Sequence, residues 1–535
     1  MVVCLTITFA TAHGTRHQPP ILVIRRGEGG ETRPDLLPSE WFRTTNSHSR
    51  TVMIVKRFYD EKLAQASYLI GCGATGDALV VDPNRDVEQY VRAAEAEKLR
   101  VAAVTETHIH ADYVSGSREL AGSTGARLYL SAEGGDDWQY AFAEADGATL
   151  VRDGDRFSVG NVRVTVLHTP GHTPEHLSFL ITDAAAADRP IAAVTGDFIF
   201  VGDVGRPDLL EKAAGVAGTM EAGARSLFAS LRRFKAEQPD WLQIWPGHGA
   251  GSACGKGMSA IPHSTLGYEK LFNWAVSEES EDAFVRAVLA GQPEPPKYFA
   301  QMKRINREGP ALLNGFPQPA RMEAEALAAV LEGGATVVDT RSTDAFGQGH
   351  VPGTINIPYN KSFSTWAGSL VPFGQPFYLL MADESGTAAA EAARDLAMIG
   401  LDEVAGWFGS DAVAAWASAG RPMERIPQIT AAELRARMEA GDVEVIDVRG
   451  RAEWDAGHLP SVPNVPLGYL PDRLDQVPSG KPVVLQCQGG ARSAIAASVL
   501  QARGIGDVIN LTGGYQAWHA AGLPVEKLED DLVPA

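Results

Sequence analysis

Short apolar runs alternate with helical patterns between residue 53 and about residue 200. ALVVDP, RVAAVTETHIH and VRVTVLHTPGH are runs of strand-forming residues, and VEQYVRAAEAEKL, after the first of them, has the apolar spacing of a helix. Strands followed by helices predict a layered α/β fold, in which the loops after the strand ends carry the chemistry. The proline-containing stretch GQPEPPKYFAQ, near residue 291, then predicts a linker.

Beyond the linker the pattern repeats. The segment VVDTRSTDAFGQGHVPGTINIP matches VIDVRGRAEWDAGHLPSVPNVP farther along the chain. The paired positions are Asp339 with Asp447, His350 with His458, Pro358 with Pro466, Trp416 with Trp518 and Gly420 with Gly522. Two copies of one α/β module are therefore predicted for the C-terminal part of the chain.

Length and composition predict several globular domains. A chain of 535 residues exceeds the roughly 250 to 300 residues at which one hydrophobic core stops growing, and 45% of its residues are apolar. We expect a poorly ordered extension over residues 1–52 and a first domain over 53–300. The two modules are then expected over 301–425 and 426–535.

Charge and cysteine content narrow the function classes. The net charge of −19 repels phosphate backbones and argues against a nucleic-acid partner. No apolar run reaches the roughly 18 residues that a membrane-spanning helix needs. The four cysteines show no CxxC spacing, which favours a reducing compartment, and we expect a cytoplasmic protein.

Histidines and aspartates collect at the predicted strand ends of the first domain. They lie in the stretches TETHIHADY, TPGHT, TGDFIF and WPGHG. The six side chains are His108, His110, Asp112, His172, Asp197 and His248. Imidazole nitrogens together with a carboxylate are ligands that bind a transition metal, so the pattern predicts a metal site.

The order of these motifs resembles the metallo-β-lactamase fold superfamily over roughly residues 53 to 260, whose pattern is HxHxDH, TPGHT, GD and GH. The resemblance implies an αββα sandwich. One position departs from the pattern, because Tyr113 stands where the last histidine of HxHxDH belongs. A phenol is a poor replacement ligand at neutral pH, and this disfavours a dinuclear zinc hydrolase of the glyoxalase II type.

Within that superfamily, the chain resembles the persulfide dioxygenase branch. That resemblance implies His108, His172 and Asp197 as ligands of one Fe(II) per chain, with His110, Asp112, Tyr113 and His248 around them. It also implies the activity: oxidation by O₂ of a small thiol persulfide, carried by glutathione, coenzyme A or a similar thiol, to sulfite and thiol. A homo-oligomer is expected on the same ground.

Three further residues near these motifs are candidates for substrate contact. VGDVGRPDLL resembles the GRxD stretch of the same branch, so Arg206 is a candidate to hold a substrate carboxylate and Asp208 to brace it. Cys254 lies close in sequence to His248 and is a candidate to accept or relay sulfur. The ordinary alternatives are a solvated charge for Arg206 and a small buried side chain for Cys254.

The last module carries a candidate nucleophile. In PVVLQCQGGARSAIAASVL a strand leads to Cys487, a glycine-containing turn and a helix near Arg492, which favours an attacking thiolate. The surroundings resemble the rhodanese family, and the CxxxxR spacing resembles its sulfurtransferase loop. Arsenate reductases and phosphatases of that fold carry one more residue. The first copy has Ala382 or a neighbour at the nucleophile position, which predicts an inactive module.

Several alternatives stay open at this point. The rhodanese module either uses sulfite to make thiosulfate or makes persulfide from thiosulfate. A zinc-dependent thioester hydrolase fused to a sulfurtransferase is the main rival, and a nuclease or a sulfur-responsive scaffold with degenerate sites are the others.

Overall fold

The computed structural model describes residues 53–212 and 218–527. The predicted extension over residues 1–52 lies outside this part of the chain. The first twelve strands of the described chain form two six-stranded sheets. The first sheet has the order β1-β2-β3-β4-β5-β6. Its strands are β1 Met53–Asp60, β2 Gln65–Cys72, β3 Asp77–Val81, β4 Arg100–Thr105, β5 Arg127–Ser131 and β6 Thr149–Val151.

The second sheet has the order β12-β11-β10-β9-β8-β7. Its strands are β7 Arg156–Val159, β8 Val162–His168, β9 Leu177–Asp183, β10 Ala192–Gly196, β11 Gln243–Pro246 and β12 Ser264–Thr265. The helices of this region are α1 Val87–Ala96, α2 Ser117–Thr124, α3 Leu209–Lys212, α4 Thr219–Glu237, α5 Leu266–Phe272, α6 Trp274–Ser277, α7 Glu281–Leu289 and α8 Phe299–Glu308.

Three apolar clusters hold these layers together. Side chains such as Tyr68 and Phe179 fill the space between the two sheets. The outer face of the first sheet packs against α1 and α2, and that of the second sheet against α4 and α7. The central strands of the sheets have both faces covered, and β2, for example, is buried along its whole length. The result is a helix–sheet–sheet–helix sandwich, as the resemblance implied.

The first repeat forms a parallel sheet of order β14-β13-β15-β16 with helices around it. Its elements are α9 Ala326–Glu332, β13 Thr336–Asp339, α10 Thr343–Gln348, β14 Ile355–Asn356, α11 Phe363–Leu370, β15 Phe377–Leu380, α12 Thr387–Ala397, β16 Val404–Phe408 and α13 Asp411–Ser418.

The second repeat forms a parallel sheet of order β17-β20-β19-β18. Its elements are β17 Gln428–Ile429, α14 Ala431–Ala440, β18 Glu444–Asp447, α15 Arg451–Asp455, β19 Val483–Gln486, α16 Ala491–Ala502, β20 Val508–Leu511 and α17 Gly514–Ala520. Paired residues make the same contacts in both copies: His350 stacks on Phe346, and His458 stacks on Trp454. The internal repeat is therefore structural.

One apolar cluster runs through all three parts of the described chain. It contains Phe200 from the sandwich, Leu396 from the first repeat and Leu485 from the second. Such continuous packing holds the parts at fixed positions relative to one another. No helix within the described ranges is both long enough and apolar enough to cross a membrane.

Candidate functional site

Two imidazoles and one carboxylate meet where three strands end. His108 follows β4, His172 follows β8 and Asp197 follows β10, so the sheets bring together residues far apart in sequence. Asp197 Oδ2 lies 3.9 Å from His108 Nε2 and 3.5 Å from His172 Nε2. All three side chains are buried. The structure thus brings together the three residues that the family resemblance implied as ligands.

Hydrogen bonds aim both imidazoles at the carboxylate. His172 Nδ1 donates to the Arg206 carbonyl at 3.0 Å, which leaves Nε2 with its lone pair. His108 Nδ1 lies 2.9 Å from Thr107 Oγ1, whose own hydrogen goes to Asp82. Burial, followed by the neighbouring imidazoles, lowers the pKa of His108 well below its ordinary value, and burial also lowers the pKa of His172. Both rings are therefore neutral, the form that binds metal.

Asp197 shows that these donors fit a cation. Its side chain is fully buried, and neither carboxylate oxygen has a hydrogen-bond partner. A buried carboxylate without partners is costly, whereas a divalent metal satisfies it. Two neutral imidazoles and one carboxylate form the 2-His-1-carboxylate set that suits non-haem Fe(II) and leaves coordination positions open.

A second set of donors lies on the other side of Asp197. His248 Nε2 is 3.4 Å from Asp197 Oδ1 and 3.3 Å from Asp112 Oδ2, and neither oxygen of Asp112 has a hydrogen-bond partner. The Cys254 sulfur completes this group, whose ligand atoms lie within 4.8 Å of one another. Burial opposes protonation of His248, but the carboxylates of Asp197 and Asp112 raise its pKa, which shows how strongly the group attracts positive charge.

His110 and Tyr113 lie beside the candidate ligands. His110 Nε2 lies 3.2 Å from Asp82 Oδ1, and although burial lowers the pKa of His110, Asp82 raises it to about 9. A protonated ring hydrogen-bonds rather than ligates, which supports the predicted role of His110 around the metal. The Tyr113 hydroxyl lies 3.4 Å from the Asp82 carbonyl and from Gln65, and burial raises its pKa well above the ordinary value. This phenol is held neutral.

Arg206 is fully buried and already engaged within the protein. Its guanidinium donates to both oxygens of Asp208 at 2.7 and 2.5 Å, to the Ala253 carbonyl at 3.2 Å and to the Pro293 carbonyl at 2.7 Å. Its carbonyl meanwhile orients His172. These contacts favour a bracing role for Arg206, and direct contact with a substrate stays a prediction.

Two supporting residues escaped the sequence reasoning. Asp82, at the end of β3, accepts hydrogen bonds from Thr107 and His110, and the strand-end rule applied to ALVVDP was the signal for it. Asn306 lies on α8, beyond the motifs, and donates to the carbonyls of His110 and Tyr113 at 2.8 and 2.7 Å. Nothing in the local sequence around Asn306 marks that contact.

The loop after β19 cradles the candidate nucleophile. Cys487 is buried, and its sulfur accepts hydrogen bonds from the Gly490 amide at 3.1 Å and the Ser493 hydroxyl at 3.3 Å. Arg492 forms a two-pronged ion pair with Glu453 at 2.6 and 2.7 Å. Partial burial opposes ionisation of Glu453, but Arg492 holds its pKa below the ordinary value. Two hydrogen-bond donors therefore converge on the sulfur.

The first repeat has methionine at the corresponding position. Asp339 pairs with Leu380 as Asp447 pairs with Gln486, so Met381 occupies the place of Cys487. The sequence predicts Ala382 or a neighbouring residue at this position, and the structure places its neighbour Met381 there. The loop that follows runs over residues 382–386 before α12, against 488–490 before α16. A thioether forms no persulfide, so this repeat lacks the nucleophile.

Comparison with known proteins places both halves of the chain. Residues 61–248 match the metallo-beta-lactamase superfamily, and residues 323–408 and 430–521 each match the rhodanese-like domain. A metallo-beta-lactamase from Staphylococcus aureus, solved as a crystal structure, is similar at 42% identity with a TM-score of 0.60, and the match covers 67% of this chain and 99% of that one.

Two curated relatives resemble separate parts. A sulfurtransferase from Allochromatium vinosum is 36% identical over 101 residues, which are 19% of this chain and 94% of the relative. A hydroxyacylglutathione hydrolase from Rhodospirillum rubrum is 29% identical over 181 residues, 34% of this chain and 60% of the relative. The predicted fold class is confirmed. The chain belongs to the metallo-beta-lactamase superfamily and carries two rhodanese-like domains after its metallo-beta-lactamase domain.

Proposed function

We propose that the protein is a persulfide dioxygenase joined to a rhodanese sulfurtransferase. The observation that carries the proposal is the buried group of His108, His172 and Asp197, whose neutral imidazoles and unpartnered carboxylate suit a single Fe(II). The net reaction consumes RSSH, O₂ and H₂O and releases RSH, sulfite and two protons. Bound Fe(II) would supply open coordination positions and a path for electrons from the persulfide sulfur to O₂.

The residues of the chain prepare the site for that chemistry. Thr107 and the Arg206 carbonyl fix the tautomers of His108 and His172, so that both Nε2 lone pairs face Asp197. The surrounding residues, including Asp112 and His248, are buried, which limits the access of water to reactive sulfur species.

The Cys487 loop supplies sulfur transfer. A terminal persulfide sulfur on Cys487 passes to sulfite to give thiosulfate, and the Cys487 thiolate leaves, its Sγ accepting a hydrogen bond from the Gly490 amide. The reverse reaction loads Cys487 from thiosulfate. Small-molecule substrates follow from both domain types. The organic thiol, the direction of flow, the homo-oligomer and the cytoplasmic location stay predictions.

A thioester hydrolase is the second candidate, and one observation favours it. Asp112, His248 and Cys254 form a second donor group beside the first, and Asp197 offers one oxygen to each. Two metal ions bridged by a carboxylate activate water for hydrolysis. Tyr113 argues against it, because this neutral buried phenol replaces a histidine ligand of the dinuclear pattern.

Metal analysis combined with oxygen uptake separates the two. After anaerobic purification we expect one iron per chain and O₂ consumption with glutathione persulfide. His172→Ala should abolish O₂ uptake, with His263→Ala, an exposed histidine, as the matched control. Cys487→Ser should keep O₂ uptake and stop thiosulfate formation, with Cys72→Ser as its control. Two zinc ions per chain with thioester hydrolysis and no O₂ uptake would establish the hydrolase instead.

A further inference from the structure

A cavity of about 570 Å³ lies where the three parts of the chain meet. Pro293 and its neighbours in the linker form one wall, Trp366 on α11 of the first rhodanese-like domain forms another, and Glu453, Tyr469 and Arg492 of the second form the rest. The cavity therefore combines residues of the active repeat with a helix of the repeat that has no nucleophile.

Arg492 links this cavity to the end of the Cys487 loop, because it is the loop residue that lines the cavity. The loop begins at Cys487 and reaches Arg492 at the start of α16, and the guanidinium lines the cavity while paired with Glu453. A neighbouring cavity of about 420 Å³ is lined by Arg492 and Trp366 as well. These two side chains thus stand between two spaces beside the sulfur-carrying loop.

The size of the cavity indicates its occupant. Sulfite and thiosulfate have only four and five heavy atoms, whereas pockets of roughly 300–1,000 Å³ hold organic ligands of drug size. The walls combine aromatic and proline faces with a few charged groups, which is typical of sites for organic molecules. An inorganic sulfur anion would leave most of this space unfilled.

The walls are fixed by contacts between the domains. The backbone amide of Asn356 in the first repeat donates to the Ser498 hydroxyl on α16 at 2.8 Å. Lys297 in the linker forms an ion pair with Asp472 in the second repeat. Arg206 holds the Pro293 carbonyl at 2.7 Å. The cavity is therefore formed before any ligand arrives, which lowers the entropic penalty of binding.

We propose that this cavity binds the organic thiol that exchanges sulfur with Cys487, and that Trp366 of the inactive repeat is a specificity-determining residue. The proposal rests on the proposed sulfurtransferase function of Cys487. The thiolate of RSH attacks the outer sulfur of the Cys487 persulfide. The new S–S bond forms as the old one breaks, the Cys487 thiolate leaves, and RSSH is released with no net change of oxidation state.

Acceptor selectivity of the full-length protein tests the proposal. Cys487 is loaded with thiosulfate, and transfer is measured to cyanide, which needs no cavity, and to glutathione and coenzyme A. In Trp366→Ala we expect the ratio of kcat/KM for the preferred thiol to that for cyanide to fall roughly tenfold, the size of one lost aromatic contact. Trp416→Ala, a half-buried tryptophan of the same repeat outside the cavity, should keep the wild-type ratio.

Ser369→Trp provides a second test, because it fills the cavity from α11 instead of emptying it. It should lower the same ratio by at least as much. An unchanged ratio in both variants overturns the proposal. A wild-type protein that transfers no sulfur even to cyanide overturns the sulfurtransferase function itself, so the two failures are distinguishable.

Discussion

Replacing Gly514 by alanine should disrupt the Cys487 loop. Gly514 begins α17 with a φ of +53°, and a Cβ added there would lie 2.1 Å from the Cys487 carbonyl oxygen. Gly522 has a similar φ of +67° but open space around it. Gly522→Ala is therefore a matched control that carries the backbone strain without the clash.

The structure gives the size of the difference. Alanine in the left-handed region costs about 1 kcal/mol at either position. At Gly514 the 2.1 Å between the added Cβ and the carbonyl oxygen falls more than 1 Å short of the 3.4 Å at which ordinary contact begins, so backbone must move. That movement stretches the hydrogen bonds from the Tyr515 amide to the Cys487 carbonyl, 2.7 Å, and from Gln516 to Gln488, 3.1 Å. Losing these two hydrogen bonds adds roughly 1–3 kcal/mol.

Thermal unfolding and sulfur transfer from thiosulfate to cyanide measure the effect. Gly514→Ala should unfold at a clearly lower temperature than Gly522→Ala and lose most of its sulfur transfer, while the proposed O₂ uptake by the metallo-beta-lactamase domain persists. Equal unfolding temperatures with normal transfer in both variants would show that the loop tolerates the displacement, and the close approach would then have no role in shaping the site.

Three further outcomes follow from the metallo-beta-lactamase domain. Thr107→Val removes the hydroxyl that contacts both His108 and Asp82 without changing the side-chain shape, so metal affinity in a chelator competition should fall roughly 10- to 100-fold. Unchanged affinity contradicts the positioning role. Burial raises the pKa of Glu175 to about 7, so near pH 6 the folded state holds a proton that the unfolded chain has released. As the pH rises from about 5 to 7, the free energy of unfolding should therefore fall by on the order of 1–3 kcal/mol relative to Glu175→Gln. Parallel pH profiles of the two proteins would refute that reasoning. Asn306→Leu leaves the carbonyls of His110 and Tyr113 and the backbone amide of Ser115 without their partner, and it should lower the free energy of unfolding by roughly 2–4 kcal/mol in denaturant. An unchanged free energy of unfolding would mean that water replaces the Asn306 side chain.

The clustering of the candidate metal-binding residues could be predicted from their positions at strand ends, whereas the choice of three of them as ligands came from the family resemblance and stays a prediction. His108, His172 and Asp197 each follow a strand, and strand ends that share one edge of a sandwich come together whatever the loop lengths. The layered α/β class and the internal repeat could be predicted from periodic apolar runs and paired motifs, and the family resemblance supplied the sandwich architecture.

The second donor group depends on information that the sequence pattern lacks. Cys254 joins Asp112 and His248 only through the path of an irregular segment after β11, and no periodicity describes such a path. The identity of Met381 as the counterpart of Cys487 likewise needed strand register, because the two loops differ in length. The sequence pattern therefore predicts that reactive side chains lie at strand ends. Strand register and the path of the loops decide which of these side chains come into contact.

Arg206 connects the two candidate sites. Its carbonyl orients His172, and its guanidinium holds Pro293 in the wall of the interdomain cavity. A flexible tether between two enzymes raises only the effective concentration of one site near the other. Here the sites also share an apolar cluster that contains both Cys254 and Cys487, so their separation is set by packing. Any coupling of sulfur oxidation to sulfur transfer should therefore depend on how the linker packs against Arg206, and not on the covalent connection alone.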